Sequence, residues 1–222
     1  MVRSLPMTVA TGHSADSPDD TSASPALQRV EAWLLLSQRD RVELLAGRVV
    51  YKSMPSIEHG AAGFAIAEQL GRFLGPRVAE RGGWWLSQEV DMLLAGQGLR
   101  PDLVGWRVDK HPRPPRKVNV GRSHLGVYVT PPDWVCEVLS ESTRADDESD
   151  GVKWGAYWEA GVGHYWLVDL ARGHITVYRR GDNDYEPVDV AGRTAVKALA
   201  PFDEVAFDAG RVFMLMEYAR ER

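Results

Sequence analysis

Apolar positions recur along this chain in two periods. Leu27, Val30, Trp33 and Leu34 fall three and four apart, which predicts a short amphipathic helix over residues 26–37. Ile57, Ala61, Phe64, Ala67, Leu70 and Leu74 repeat that spacing and predict a longer helix over 56–74. Ser56 is its N-cap, and Gly75-Pro76 stops it. Between the two helices, residues 41–52 alternate around Ala46-Gly47, a hairpin signal. Residues 84–94 and 99–106 read as strands, and 107–122 as a loop of prolines and basic residues. Residues 134–139 form a short apolar strand interrupted by one acid, Glu137. A helix over 149–160 closes at Gly161, and strands follow at 164–169, 174–179 and 185–188. This order predicts a mixed α/β domain with a helix-flanked sheet.

Residues 1–25 depart from the pattern. Positions 11–25 are rich in Ser, Thr, Asp, Pro and Ala and carry no aromatic residue. Such a stretch cannot bury enough apolar surface to offset its chain entropy, so a disordered tail is expected over 1–25 and one folded domain over 26–222. At 222 residues, 44% hydrophobic and 26% charged, the chain has the balance of a soluble globular protein. Its single cysteine, Cys136, excludes an internal disulfide and a four-thiolate zinc site. Twenty-six basic against 31 acidic residues give a net charge of -5, which disfavours nucleic-acid binding by bulk charge and leaves room for a local basic patch. No apolar run approaches the ~18 residues that span a bilayer, and the N-terminus lacks the layout of a signal peptide. A cytoplasmic protein is expected.

The informative chemistry is a pair of acids on two apolar strands. Pro101-Asp102 opens one, and Glu137 shares a strand face with Val135 and Leu139. A carboxylate in such a run is costly to bury unless paired or holding a metal. Two carboxylates on adjacent strands make a hard-oxygen site suited to Mg²⁺ or Mn²⁺. Equally, Asp102 can cap a turn and Glu137 can pair with an arginine. Lys153 and Tyr157, at i and i+4, share a face of the following helix. Lys153 can lean over the carboxylates or face solvent, and Tyr157 reads as packing. His59, in line with Gly63, Ile66 and Leu70, faces inward, either to orient a water or bind phosphate near the helix N-terminus, or as a hydrogen-bonded core-edge residue. Glu43, between Val42 and Leu44, either adds a carboxylate to the site or is a solvated strand residue. Asp169 reads as a turn former and Cys136 as an inert core thiol. Arg107, Lys110, Arg113, Arg116, Lys117 and Arg122 crowd one loop with His111, able to contact phosphates or simply solvated. The sequence has no Walker loop, dinucleotide fingerprint, nucleophile elbow or HExxH motif.

Arg41-Val-Glu-Leu-Leu-Ala-Gly-Arg-Val-Val50, followed by Met54-Pro-Ser-Ile-Glu-His59, resembles the N-terminal signature of the putative restriction endonuclease family, a bacterial group in the PD-(D/E)XK nuclease superfamily. The likeness continues through Pro101-Asp102, Glu137-Val-Leu-Ser-Glu-Ser-Thr143, Lys153-x-x-x-Tyr157 and Gly161-Val-x-x-Tyr-Trp-Leu-Val-Asp169. It covers about residues 25–215. It implies a PD-(D/E)XK restriction-endonuclease-like core, a mixed central sheet flanked by helices, in which Asp102 and Glu137 bind Mg²⁺. The superfamily's acid-x-Lys pattern would put its lysine at position 139, where this chain has Leu139. Lys153 fits the place of a lysine moved to the following helix, and His59 and Glu43 match further polar positions. The segment from Thr143 to Lys153 is longer than the family's usual spacing, so Asp146, Asp147 and Asp150 all compete for the acid expected there.

The expectation is a Mg²⁺- or Mn²⁺-dependent DNA endonuclease. Asp102, Glu137 and the backbone carbonyl of Val138 hold the ion, Lys153 stabilises charge on the phosphate, and basic-loop residues hold the DNA backbone. The resemblance leaves room for a homodimer, the form in which such nucleases often cut duplexes. The rival reading is a catalytically silent nucleic-acid-binding or protein-interaction module on the same fold, since fold does not establish activity. Deleting residues 1–20 should leave the melting temperature unchanged within error. A drop of several degrees in a calorimetric scan would show that the tail packs on the domain.

Overall fold

The computed structural model describes residues 24–76, 83–121, 124–141 and 143–220, with side chains as far as 216. The expected tail and Arg122 therefore lie outside the described residues, apart from Ser24 and Pro25. Helix α1 spans Pro25–Ser37, with the Ser24 side chain accepting from the Leu27 N–H. Strands β1 (Val42–Leu45) and β2 (Arg48–Tyr51) form the expected hairpin. Ala46 and Gly47 both take positive φ, the left-handed pair that a tight two-residue hairpin turn requires. Helix α2 covers Ile57–Leu70 and runs into a 3-10 turn, Gly71–Phe73. Then come β3 (Trp84–Gln88), β4 (Met92–Leu94), β5 (Gln97–Leu99), β6 (Leu103–Arg107), β7 (Val118–Asn119), β8 (Gly126–Val127) and β9 (Trp134–Val138). Helices α3 (Arg144–Asp147) and α4 (Val152–Ala160) lead to β10 (His164–Asp169), β11 (His174–Arg180) and β12 (Tyr185–Gly192). Strands β13 (Val196–Lys197) and β14 (Phe207–Asp208) precede α5 (Ala209–Arg220).

Two sheets organise the chain. Six strands run in the order β12-β11-β10-β9-β6-β3, antiparallel except for the central β9–β10 pair. That parallel pair needs a crossover, and α3 and α4 supply it. Four strands, β2-β1-β5-β4, form a smaller antiparallel sheet. One face of the large sheet packs on α2 and α5 through Ile66, Leu70, Cys136, Trp166 and Phe213. The other face, with Val104, Val135 and Tyr165, buries against α4 and the small sheet. Helix α1 covers the far side of the small sheet through Trp33 and Leu34.

Several predicted elements are corrected. The single strand expected over 84–94 is two strands in different sheets, because Glu89 takes positive φ and Asp91 is pinned by the Arg100 side chain at 2.7 Å. The strand over 99–106 breaks at Pro101, which has no N–H to give a ladder. The helix expected over 149–160 starts only at Val152, because Asp150 takes a φ of +68°, and Gly161 ends it as expected. Ser56 does cap α2, but the predicted stripe coincides with the buried face only at Leu70 and, in part, Ala67. Ile57, Phe64 and Leu74 are exposed, and Ala62, Ile66, Gln69 and Leu70 are buried. Small residues on both sides of the helix leave its apolar arc too broad to fix the inward direction.

The docking of α1 on the small sheet rests on a glycine. A Cβ on Gly98 would come within 2.6 Å of the Trp33 ring. That ring is fully buried and held by its Nε1 donating to the Val42 carbonyl at 3.1 Å. Gly98→Ala should therefore destabilise the fold by roughly 1–3 kcal/mol. Gly60→Ala, on the open face of α2 with nothing within 4 Å, should stabilise it slightly. Urea unfolding midpoints of the two variants check the contrast.

Candidate active site

Asp102 precedes β6 and Glu137 lies near the end of β9, so both arrive at one end of the large sheet. The register pairs Leu103 with Cys136, and its continuation by one residue sets Asp102 opposite Glu137. Opposed residues of an antiparallel pair point to the same face, with Cβ atoms about 4.5–5.5 Å apart. Asp102 Oδ2 accepts the Val138 N–H at 2.7 Å. The Val138 backbone thus lies against Asp102. His59 Nε2 lies 3.3 Å from Asp102 Oδ1, and Lys52 Nζ lies 3.7 Å from it. Burial alone would raise the Asp102 pKa. The His59 hydrogen bond and the positive charges of Lys52, His59 and Lys153 outweigh it and hold the carboxyl well below the usual carboxylate range.

Glu137 is held from the other side. Lys153 Nζ lies 2.6 Å from Glu137 Oε1, 2.8 Å from Asp147 Oδ1 and 3.3 Å from Glu43 Oε1. The Tyr157 hydroxyl donates to Glu137 Oε1 at 2.8 Å. All five side chains are buried, and Lys153 is 0% exposed. Glu43 also accepts the Arg100 N–H at 2.8 Å. Burial pushes the Glu137 pKa up to about 8, Lys153 pulls it down and Asp147 pushes it further up. Burial likewise raises Asp147. The Lys153 pKa is raised despite burial, because three carboxylates surround the ammonium.

The cavity beside Asp102 has a volume of about 230 Å³. Arg41, Lys52, His59, Asp102, Val138 and Ser140 are among the residues that line it, and the α2 N-cap Ser56 is at its edge. Lys153, Glu137 and Glu43 are not on its wall. The expectation that Lys153 reaches a phosphate is therefore corrected: its stem points into the closed interior, and three carboxylates occupy its charge. Of the three competing acids, Asp147 is the one that meets Lys153. Asp169 accepts the Arg172 N–H at 2.9 Å, as a turn former does, and also pairs with Arg144 at 2.8 Å. Cys136 faces the α2 side of the sheet, and burial raises its thiol pKa.

The basic loop lies apart from these residues. Arg107 ends the strand that Asp102 begins, which at ~3.3 Å per residue separates them by roughly 17 Å. Arg107 pairs with Asp109 and Lys110 with Asp133, each at 2.6 Å, and His111 also approaches Asp133. Arg113, Arg116 and Lys117 are exposed. Sequence reasoning missed Lys52 and Arg41. Their signal was positional: both sit at the open end of the hairpin that carries Glu43, where the Lys52 N–H donates to the Arg41 carbonyl at 2.8 Å.

The donors suit a hard divalent ion. Asp102, Glu137 and the Val138 carbonyl offer only oxygen, the ligand that Mg²⁺ and Mn²⁺ prefer. Lys153 against Glu137 shows that the carboxylate is placed to face a cation. Among the described residues no three His, Cys, Asp or Glu side chains are grouped to hold a metal.

Comparison with known proteins places the fold. A putative nuclease of the DUF820 group from Anabaena variabilis ATCC 29413 has the same fold, with a TM-score of 0.53 and 19% identity. The match covers 78% of this chain and 89% of the other. No curated protein matches. Among the described residues no helix is long and apolar enough to cross a membrane. The Uma2 family of putative restriction endonucleases matches residues 27–209, so the mixed sheet with its flanking helices is a restriction-endonuclease-like core and the chain belongs to that family.

Proposed function

We propose that the chain is a Mg²⁺- or Mn²⁺-dependent endonuclease hydrolysing phosphodiester bonds in DNA. The observation that supports this best is Asp102, an ionised carboxylate buried at the inner end of an open cavity, with basic side chains beside it. Asp102, Glu137 and the Val138 carbonyl are the residues to hold the ion. A bound ion would polarise the scissile phosphate and lower the pKa of an attacking water. His59 lines the cavity with Nε2 against Asp102, where it can orient that water or carry a proton from it. Tyr157 and Lys153 fix the Glu137 carboxylate, and Glu43 steadies Lys153 in turn, so these three act as positioning residues. Arg113, Arg116 and Lys117 are exposed and can contact the DNA backbone beyond the cavity, whereas Arg107 and Lys110 are neutralised by Asp109 and Asp133. Cutting both strands at one place takes two such sites, hence two chains or two encounters.

One observation favours a second reading. Glu137 Oε1 is already shared by Lys153 and Tyr157, and position 139 holds leucine in place of a lysine. A nucleic-acid-binding or protein-interaction module without catalysis would keep such a closed cluster. Calorimetric titration with Mn²⁺ separates the two readings, since the module has no need of an ion.

Asp102→Asn and Glu137→Gln should each abolish Mn²⁺ binding and cleavage of a plasmid while leaving the circular dichroism spectrum intact. Parental Mn²⁺ affinity in both variants would rule out the proposed ligand set. Lys153→Met should act on stability first. Removing one partner of a buried ion cluster strands the rest, a loss of about 3–5 kcal/mol. Guanidinium unfolding should show that loss, and an unchanged midpoint would mean the three carboxylates tolerate burial without the lysine.

A further inference from the structure

We propose that Lys52 is the cation that meets the scissile phosphate, the task that the superfamily pattern gives to a lysine at position 139 and that the buried Lys153 cannot perform. This inference rests on the nuclease reading and adds a substrate contact to it.

Three observations carry it. Lys52 lines the Asp102 cavity, whereas Lys153 does not. Its side chain is only 5% exposed, so its charge is desolvated and acts at short range far more strongly than a surface lysine would. Its ammonium is also held in place. One donor goes to the Arg100 carbonyl at 2.9 Å, and the backbone N–H goes to the Arg41 carbonyl. An ammonium carries three donors, and the 3.7 Å separation from Asp102 is too long for a hydrogen bond. The charge thus sits beside Asp102 and helps to keep it ionised without spending a hydrogen bond on it.

The surroundings suit a phosphodiester. Arg41 lies on the same wall, and its buried Nε has no hydrogen-bond partner. Its NH2 is fixed by Glu89 at 2.5 Å, which leaves the guanidinium anchored with one donor unspent. A phosphate oxygen entering the cavity would meet Lys52 and Arg41 on the hairpin side and His59 on the helix side. The non-bridging oxygens need such cations, because attack by water adds negative charge to them. The hairpin that supplies Glu43 to the closed cluster thereby supplies Lys52 to the open cavity.

The test compares the parent with Lys52→Gln, which can still donate to the Arg100 carbonyl but carries no charge, and with Lys52→Ala. A fluorescent 20-base-pair duplex is titrated in Ca²⁺ at several salt concentrations, and Mn²⁺ binding is measured by calorimetry. Lys52→Gln should weaken duplex binding roughly ten- to a hundredfold, the weight of one charge-assisted hydrogen bond. It should lower the salt-dependence slope by about one. Mn²⁺ should bind at least as tightly as to the parent, since a positive charge beside Asp102 has gone. Lys52→Ala should do the same if it melts with the parent. Duplex binding unchanged in Lys52→Gln would overturn the inference and leave the nuclease reading standing, with Lys52 as a strap for the hairpin. Weakened Mn²⁺ binding would also overturn it, because Lys52 would then be shaping the Asp102 ligand and not the substrate. A parent that binds no duplex at any salt concentration would overturn both.

Discussion

The structure turns on a lysine ammonium placed where no water can reach it. Lys153 is surrounded by Glu43 from the small sheet, Glu137 from the large sheet and Asp147 from the crossover. A charge in that position is tolerable only while its partners surround it. The two sheets and the crossover must therefore stay in register with one another to within the length of an ion pair. One cation against three carboxylates is still an imbalance. Burial accordingly raises the pKa values of Glu137 and Asp147, while Lys153 pulls both down.

The backbone of Val138 divides this closed cluster from the open cavity. Its N–H is taken by Asp102 on the cavity side, while the Glu137 side chain one residue earlier turns toward Lys153 and Tyr157. Here a main-chain N–H binds one acid while the neighbouring side chain supplies the other. The acids of the pair are then shifted in opposite directions: the charges of Lys52 and His59 hold the Asp102 pKa down, and burial pushes that of Glu137 up. Two neighbouring carboxylates that differ in this way can serve different purposes in one site.

Much of this was legible in the sequence. The acid inside an apolar strand at Glu137 and the Pro-Asp at 101–102 identified the pair, because buried carboxylates are rare without cause. Lys153 and Tyr157 were found from their i, i+4 spacing, but spacing does not tell which way a long stem points, and Lys153 turned inward. Lys52 was missed because a lysine at the end of a hairpin looks like any solvated residue until Arg100 and Asp102 close over it. The strands expected at 84–94 and 99–106 were each two, since periodicity records alternation and not the sheet to which a segment belongs. The α2 face was misread for a related reason. In a helix of small residues, exposed Ile57 and Phe64 weigh as much in the pattern as buried Ile66 and Leu70.

The closed cluster draws on residues 43, 137, 147 and 153, so its contacts span about half the chain. Contacts that distant require the closure of long loops, which makes them slow to form. The hairpin closes over a turn of only two residues, yet its Glu43 has no buried cation beside it until the crossover brings Lys153. A chain whose crossover has not docked thus leaves Glu43 and Glu137 without the ammonium that offsets their burial.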